Sequence, residues 1–509
     1  MQPKMKAAPR QFTAPIYPFL LAAYPILAML AFNVGELRPV SAVRALLVSL
    51  ASTAILLLSL RALLRDLHRA AFVTAVWLFL FFTYGHLQII LLEARWTRTE
   101  ILLPLWLGLS LLSLTWAWRA RPNLRGLSTP LNLMTLLLVG MTVWQFGSYD
   151  LKLSRLLATP ADESFLPQLR VDSSAPLPDV YYIILDSYTR ADTLKNAFGY
   201  DNSQFISDLE QMGFYVARCS QSNYDRTELA FSSALNFDYL QTIAPELTPE
   251  RRDKSELWRL IRNSRLRASL ESLGYQMVAF ATGYPWSELE DADMYFPSQP
   301  QTIFALNEFE VLMLRTTLVR AAQEAGLVHY DAQEYDRQRE RSRVALSALP
   351  SMHEAGRPRF VFVHLLEPHP PFVFDADGAV DAGQFINAEG NYTPESYARG
   401  YVGEVQYINR EILRVFKTVI ERSDVPPIII LQGDHGPWYQ PPETVLTILN
   451  AYYLPGHADA LYPSISPVNS FRVVLNEYFG ASLPLLEDVN YNSPGREPYN
   501  YEIVPNSCK

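Results

Sequence analysis

The sequence predicts two unlike halves: an N-terminal bundle of five membrane-spanning helices over 1–148, a linker over 149–178, and a C-terminal α/β domain over 179–509. Three observations carry this. Five apolar runs of helix length crowd the front of the chain, the charge balance reverses near residue 150, and short β-rich runs alternate with helix-length stretches from 179 onward.

The apolar runs are 15–33, 42–62, 70–92, 101–118 and 129–147. Each is close to the ~20 residues a helix needs to cross a ~30 Å hydrocarbon core. Five in succession with short polar links favour spans over the buried core helices of a soluble protein. The first run leads straight into the next without a small-x-small cleavage site, so it does not read as a signal peptide. Cations collect in alternate loops. Lys4, Lys6 and Arg10 precede the first run, Arg61, Arg65 and Arg69 follow the second, and Arg119, Arg121 and Arg125 follow the fourth. The opposite loops hold Arg38 beside Glu36, and Arg95 and Arg98 beside Glu93 and Glu100. Because short cytoplasmic loops are enriched in Lys and Arg, an odd number of spans is expected to leave everything after about 150 outside the cytoplasm of a plasma or inner membrane. The segment after the last run carries Pro160, Pro167, Pro176 and Pro178 among polar residues, which suits a linker.

Charge excludes one class of partner. Residues 1–150 hold thirteen Lys/Arg against five Asp/Glu, net +8, and the remainder holds thirty against forty-seven, net −17. An acidic region without a Lys/Arg run lacks the clustered cations that displace counterions from a phosphate backbone, so no nucleic-acid partner is expected. The two cysteines, Cys219 and Cys508, have neither CxxC spacing nor a third partner, which argues against a cysteine zinc or redox site. Whether they form a disulfide stays open, since geometry decides it.

In the back half, DVYYIILD (179–186), QMVAFAT (276–282), RFVFVHL (359–365) and PPIIILQGD (426–434) read as strands, with helices expected over 203–213, 255–273, 303–325, 335–349 and 396–421. Ligands of open α/β sheets gather outside the carboxyl ends of the strands, so the residues just after these runs should share one crevice. The first run ends in Asp186, which taken alone could simply cap the next helix. The fourth ends in Gly433-Asp434-His435-Gly436, where adjacent carboxylate and imidazole suit a divalent ion and the glycines allow close backbone approach. After the third run, His364 is balanced between core residue and site residue. His369 lies between Pro368 and Pro370, a rigid setting for an imidazole that contacts the transferred group's oxygens or acts as a general acid. Thr227 falls where a loop turns into an apolar, small-residue helix. There a hydroxyl sees the positive helix end and an adjacent metal could deprotonate it; the alternative is that Thr227 or Ser222 only caps that helix.

The order of strand-Asp, loop-Thr before a helix, His-Pro-Pro-Phe (369–372) and Gly-Asp-His-Gly (433–436) resembles the sulfatase-like branch of the alkaline phosphatase superfamily over about 179–480. Five spans followed by such a domain resemble membrane-anchored lipoteichoic-acid synthases and, more loosely, phosphoethanolamine transferases. The resemblance implies an α/β/α sandwich with one divalent ion (zinc, manganese, magnesium or calcium) held by Asp186, Thr227, Asp434 and His435. It implies Thr227 as covalent nucleophile and His369 as a substrate-phosphate contact, with Arg190 and Arg226 as lesser candidates for anion contacts. The sulfatases' own C/S-x-P/A-x-R motif is missing, since Cys219 is followed by Ser220-Gln221-Ser222-Asn223, so formylglycine chemistry is disfavoured. The expected activity is transfer of a phospho-alcohol headgroup through a phospho-threonine, with membrane lipids as donor or acceptor and a surface glycan as a further acceptor. Hydrolysis of phosphate or sulfate esters at the same site and a non-catalytic membrane scaffold are the alternatives. Oligomeric state is not legible.

Overall fold

The structure is a computed structural model that describes residues 14–94, 101–160, 166–171, 175–298, 305–352, 356–386, 391–438, 442–493, 495, 497–506 and 508. Lys4, Lys6, Arg10, Arg95, Arg98 and Glu100, which entered the charge argument, lie outside the described residues, as do parts of the expected linker. The chain divides into two compact units: 1–152 with 303–334, and 153–302 with 335–509.

The first unit is built on α1 (Tyr17–Phe32), α2 (Val43–Leu64), α3 (Leu67–Glu93), α4 (Leu102–Arg119) and α5 (Ser128–Leu157). Each expected apolar run is therefore a helix. Three described stretches, Pro39–Leu64, Leu67–Leu92 and Arg125–Leu157, are long and apolar enough to cross a membrane. The sixteen residues of α1 reach only about 24 Å at 1.5 Å per residue, short of the ~30 Å core. Helix α4 closes on Thr115-Trp116-Ala117-Trp118-Arg119, which dilutes its apolar character. Leu47, Ile55, Leu58, Leu111, Leu112, Leu133 and Met141 are exposed, a pattern that suits hydrocarbon rather than water as the surrounding medium.

Residues 303–334 fall inside the 179–509 span expected for the α/β domain, yet they cluster with the apolar helices. The reason is one apolar helix face. In the helix Glu308–Thr316, Phe309 and Met313 are buried with Ala22, Ile26, Leu30, Leu78 and Phe82. Gly85 permits the approach: a Cβ there would sit 2.5 Å from the Arg315 carbonyl oxygen. The Leu318 N–H then donates to the Phe81 carbonyl at 2.9 Å. Amphipathicity is visible in a sequence, but the surface that buries the apolar face is not.

The second unit holds a seven-stranded sheet of β1 (Val180–Leu185), β2 (Tyr215–Val216), β3 (Gln276–Phe280), β4 (Met294–Phe296), β5 (Arg359–Leu365), β8 (Ile428–Gly433) and β9 (Asn450–Tyr453), with β6 (Phe374–Asp375) and β7 (Gly378–Ala379) forming a separate hairpin. The order is β2-β9-β8-β1-β5-β3-β4. The central pairs are parallel and β9 is antiparallel to both neighbours. Successive residues of β1 face opposite sides. Tyr181, Ile183 and Leu185 join a core that includes Tyr401, Val405 and Ile412 of the helix Pro394–Arg422, whereas Val180, Tyr182 and Ile184 join one that includes Phe471, Val474 and Leu475 of the helix Pro467–Phe479. Helices thus cover both faces, as buried parallel strands require. The stretch expected as one helix over 255–273 breaks into Ser255–Arg262 and Arg265–Ser272, because Ser264 adopts extended backbone and its side chain accepts the Arg267 N–H at 3.3 Å.

Cys219 and Cys508 form a disulfide that closes a sequence separation of 289 residues. It anchors the end of the chain to the loop leading to Thr227. Replacing Cys219 with Ser is expected to destabilise this unit by about 2–5 kcal/mol. Thermal unfolding with and without reductant checks this, and a transition temperature indifferent to both reductant and substitution would contradict it.

Candidate metal centre

Strand register creates the site. Leu185 pairs with Gly433 and with Leu365, so the next residues on β1 and β8, Asp186 and Asp434, emerge side by side at the carboxyl edge of the sheet. The turn after β1 is held tightly. Ser187 has φ +64°, a left-handed conformation that costs a non-glycine residue roughly 1–3 kcal/mol and recurs at functional sites. Its N–H donates to Asp434 Oδ1 at 2.8 Å and its carbonyl accepts the Tyr401 hydroxyl at 2.7 Å. On the β8 side a Cβ at Gly433 would meet the Tyr188 carbonyl oxygen at 2.3 Å, and one at Gly436 the Thr444 carbonyl oxygen at 2.4 Å. Both glycines are there for close backbone approach.

Asp186, Asp434 and His435 are buried and offer ligand atoms within 4.8 Å of one another. His435 Nδ1 donates to the Gly436 carbonyl at 2.7 Å, which assigns its proton and leaves the Nε2 lone pair facing inward. Around Nε2 stand Thr227 Oγ1 at 3.2 Å, Asp434 Oδ2 at 3.4 Å and Asp186 Oδ1 at 3.8 Å. Asp434 Oδ2 is buried and makes no hydrogen bond among the described residues. Converging carboxylates, an imidazole lone pair and an unsatisfied buried oxygen are the donor set a divalent cation fits, and without positive charge that arrangement is costly. The acidities reflect the crowding. Burial and the neighbouring Asp186 push the Asp434 carboxyl up. Burial would also raise Asp186, but His369, His364 and His435 together hold it below the usual carboxylate range.

Thr227 opens the helix Thr227–Ala234, and its hydroxyl turns to His435 rather than to the helix backbone. Neither capping alternative is found: the N-cap is Arg226, without a side-chain cap, and the Ser222 hydroxyl donates to the Tyr224 carbonyl. His369 lines a cavity of about 160 Å³ with Ser187, Pro370, Tyr397 and Trp438. The Arg226 guanidinium donates to the Ser493 and Gly495 carbonyls at 3.1 and 2.8 Å and lies 5.5 Å over the Trp438 ring. Arg190 does not join the group. Its guanidinium is buried in a two-pronged pair with Asp192, both contacts at 2.7 Å, and also donates to the Ser220 carbonyl.

Two residues gain roles the sequence did not assign. His364 Nε2 lies 3.2 Å from Asp186 Oδ2, and its ring packs edge-on against Phe231 at 4.8 Å, so it orients the second oxygen of a candidate ligand. Trp438 packs edge-on to His435 at 5.8 Å while remaining half exposed, which makes it a wall of the crevice. Its place two residues after Gly436 was the only signal.

Behind His369, two buried glutamates brace the loop that carries it. Glu367 Oε1 accepts the Ser342 hydroxyl at 2.7 Å, and Glu404 accepts the backbone N–H groups of Val373 and Phe374. Burial pushes Glu367 up to about 7 from 4.5 and Glu404 well above its ordinary value. A carboxyl raised on folding stabilises the fold while protonated; that contribution is complete below pH 4.5 and fades as pH rises through about 7. The unfolding temperature should therefore decline across that window, and decline less in Glu367→Gln. Equal slopes for the two proteins would contradict the assignment.

Residues 315–469 match the family model described as Sulfatase. The matched stretch includes His369, Asp434 and His435 and leaves out Asp186 and Thr227. Over that stretch, which is less than half of the chain, the sequence is similar to sulfatases. No curated protein matches the chain. Among solved structures, similarity extends to the C-terminal periplasmic domain of EcEptC from Escherichia coli in complex with Zn, at 12% identity and TM-score 0.43, covering 67% of this chain and 95% of that one. It extends also to the integral membrane lipooligosaccharide phosphoethanolamine transferase A (EptA) from Neisseria meningitidis, at 11% identity and TM-score 0.39, covering 91% and 94%. A phosphonate monoester hydrolase of Agrobacterium radiobacter follows at 13% identity and TM-score 0.38, covering 62% and 79%. At such identities each residue's role has to come from the site's own geometry.

Proposed function

We propose that the protein is a membrane-bound transferase that moves a phospho-alcohol headgroup from a membrane lipid to a lipid or surface-glycan acceptor, through a covalent phosphate ester on Thr227. The observation that carries this reading is the Thr227 hydroxyl itself, which leads a helix yet points 3.2 Å from His435 Nε2, into the carboxylate cluster. Asp186, Asp434 and His435 would hold one divalent ion, with Thr227 Oγ1 completing the set. Bound there, the ion would acidify the hydroxyl and offset charge on the phosphoryl oxygens.

The remaining work falls to the chain. A bond forms from Thr227 Oγ1 to phosphorus as the donor's ester P–O bond breaks, and the lipid alcohol leaves with a proton. His369, which lines the cavity with Ser187, contacts the phosphoryl oxygens or gives that proton in this reading, and Trp438 and Tyr397 wall the headgroup. An acceptor hydroxyl then attacks from the opposite side, releasing Thr227 with its proton restored. The charge of Arg226, beside Thr227 and over Trp438, attracts the anion in the same reading.

In the same reading all five apolar helices cross a plasma or inner membrane, and the sulfatase-type unit works outside the cytoplasm. The disulfide supports an oxidising compartment.

Mass spectrometry of the full chain after incubation with vesicles of phosphatidylglycerol and phosphatidylethanolamine tests the intermediate. The peptide bearing Thr227 is expected to gain a phospho-alcohol whose mass names the transferred group. Thr227→Ala should lose the adduct and at least about a thousandfold of turnover. A folded Thr227→Ala variant with full activity would refute the nucleophile, and free product released in water without acceptor would turn the reading to a hydrolase.

A further inference from the structure

The helical unit contains a second, much larger cavity, of about 850 Å³, within the roughly 300–1,000 Å³ typical of ligand sites. It lies among α1 to α4 and the 303–334 segment, between Arg44, Leu56, Trp77, Phe82, Trp106 and Leu314. Along α2 the lining runs from Arg44 to Leu56, about 18 Å at 1.5 Å per residue. That is close to one leaflet, half of a ~30 Å hydrocarbon core.

The polar atoms of the walls are largely spent on the walls themselves. The Ser49 hydroxyl donates to the Ala22 carbonyl at 3.0 Å and the Thr53 hydroxyl to the Ser49 carbonyl at 2.8 Å. The Trp77 indole donates to the Ser110 carbonyl at 3.1 Å and the Trp106 indole to the Leu80 carbonyl at 2.8 Å. Such walls offer water little to bond and are matched by hydrocarbon. The two charged residues of the lining, Arg44 and Glu310, pair with each other, and Arg44 also reaches the Ala305 carbonyl. They sit at the N-terminal end of α2, so the cavity has one polar end and one apolar end. Leu47, Ile55 and Leu58 on the same helix are exposed, so the medium that supplies an occupant is lipid.

We propose that this cavity takes an acyl chain of a membrane phospholipid, with the lipid's ester and phosphate end at the level of the Arg44–Glu310 pair and the 303–334 segment as the wall that closes over the chain. Leu306, Met313, Leu314, Thr317 and Leu318 supply that wall. Lining a lipid site gives a reason for the packing of this segment on α1 and α3. The inference rests on the proposed function for its choice of a phospholipid over another amphiphile.

The test is photocrosslinking of the full chain in vesicles of phosphatidylglycerol and phosphatidylethanolamine doped with phosphatidylglycerol bearing a diazirine in its acyl chain. Label is expected to concentrate on the lining, including Leu314 and Thr317, well above the outward-facing Leu111 and Leu133. Ala45→Trp, which fills the cavity, should cut the lining label several-fold and leave the outward label unchanged; Leu314→Trp is an independent filler from the opposite wall should the first variant fold poorly. Lining label no higher than that at Leu111 and Leu133 in the unmodified protein would overturn the proposal, as would undiminished label in a folded filler variant. Thr227→Ala should label like the unmodified protein. Lining label without a Thr227 adduct keeps the lipid site and sinks the transferase reading, whereas an adduct without lining label does the reverse.

Discussion

Asp186 and Asp434 are both buried, and they stand together because β1 and β8 pair in parallel with Leu185 opposite Gly433. Two carboxylates taken out of water beside one another repel, and burial adds to the cost. The surrounding structure reads as a response to that constraint. Ser187 accepts a left-handed backbone so that its N–H can serve one oxygen of Asp434, Tyr401 clamps the turn, and His364 serves one oxygen of Asp186. What remains inward is an Asp434 oxygen without a hydrogen bond among the described residues and the lone pair of His435, with the Thr227 hydroxyl beside them.

Around that centre the fold assigns distinct tasks to distinct elements. The sheet edge supplies candidate ligands, a helix start supplies the candidate nucleophile, and the loop after β5 brings His369 in on a brace of buried glutamates. The helical unit has its own organisation, in which the helix Glu308–Thr316 from the later sequence packs among apolar helices through Phe309 and Met313.

Much of the centre was legible because its signals are local. Gly433-Asp434-His435-Gly436 states both the ligand chemistry and the backbone constraint, and each glycine meets a carbonyl oxygen that a side chain would strike. The four longer strands lie within a few residues of the apolar runs, whereas β2, β4 and β9, at two to four residues, are too short to stand out. His364 stayed ambiguous because its partner Asp186 is fixed by register, which no stretch of sequence displays. The pairing of Arg190 with Asp192, two residues on, is local, yet the sequence does not show which partner a guanidinium takes. Burial partners of amphipathic segments were equally hidden, and 303–334 is the example.

Everything proposed for this site depends on the buried Asp-Asp-His cluster holding a cation. Elemental analysis of the purified full chain tests this and should find one divalent ion per chain, lost on Asp434→Asn and on His435→Ala but kept on Asp192→Asn. A protein that folds, retains activity after exhaustive chelation and carries no stoichiometric ion would contradict it.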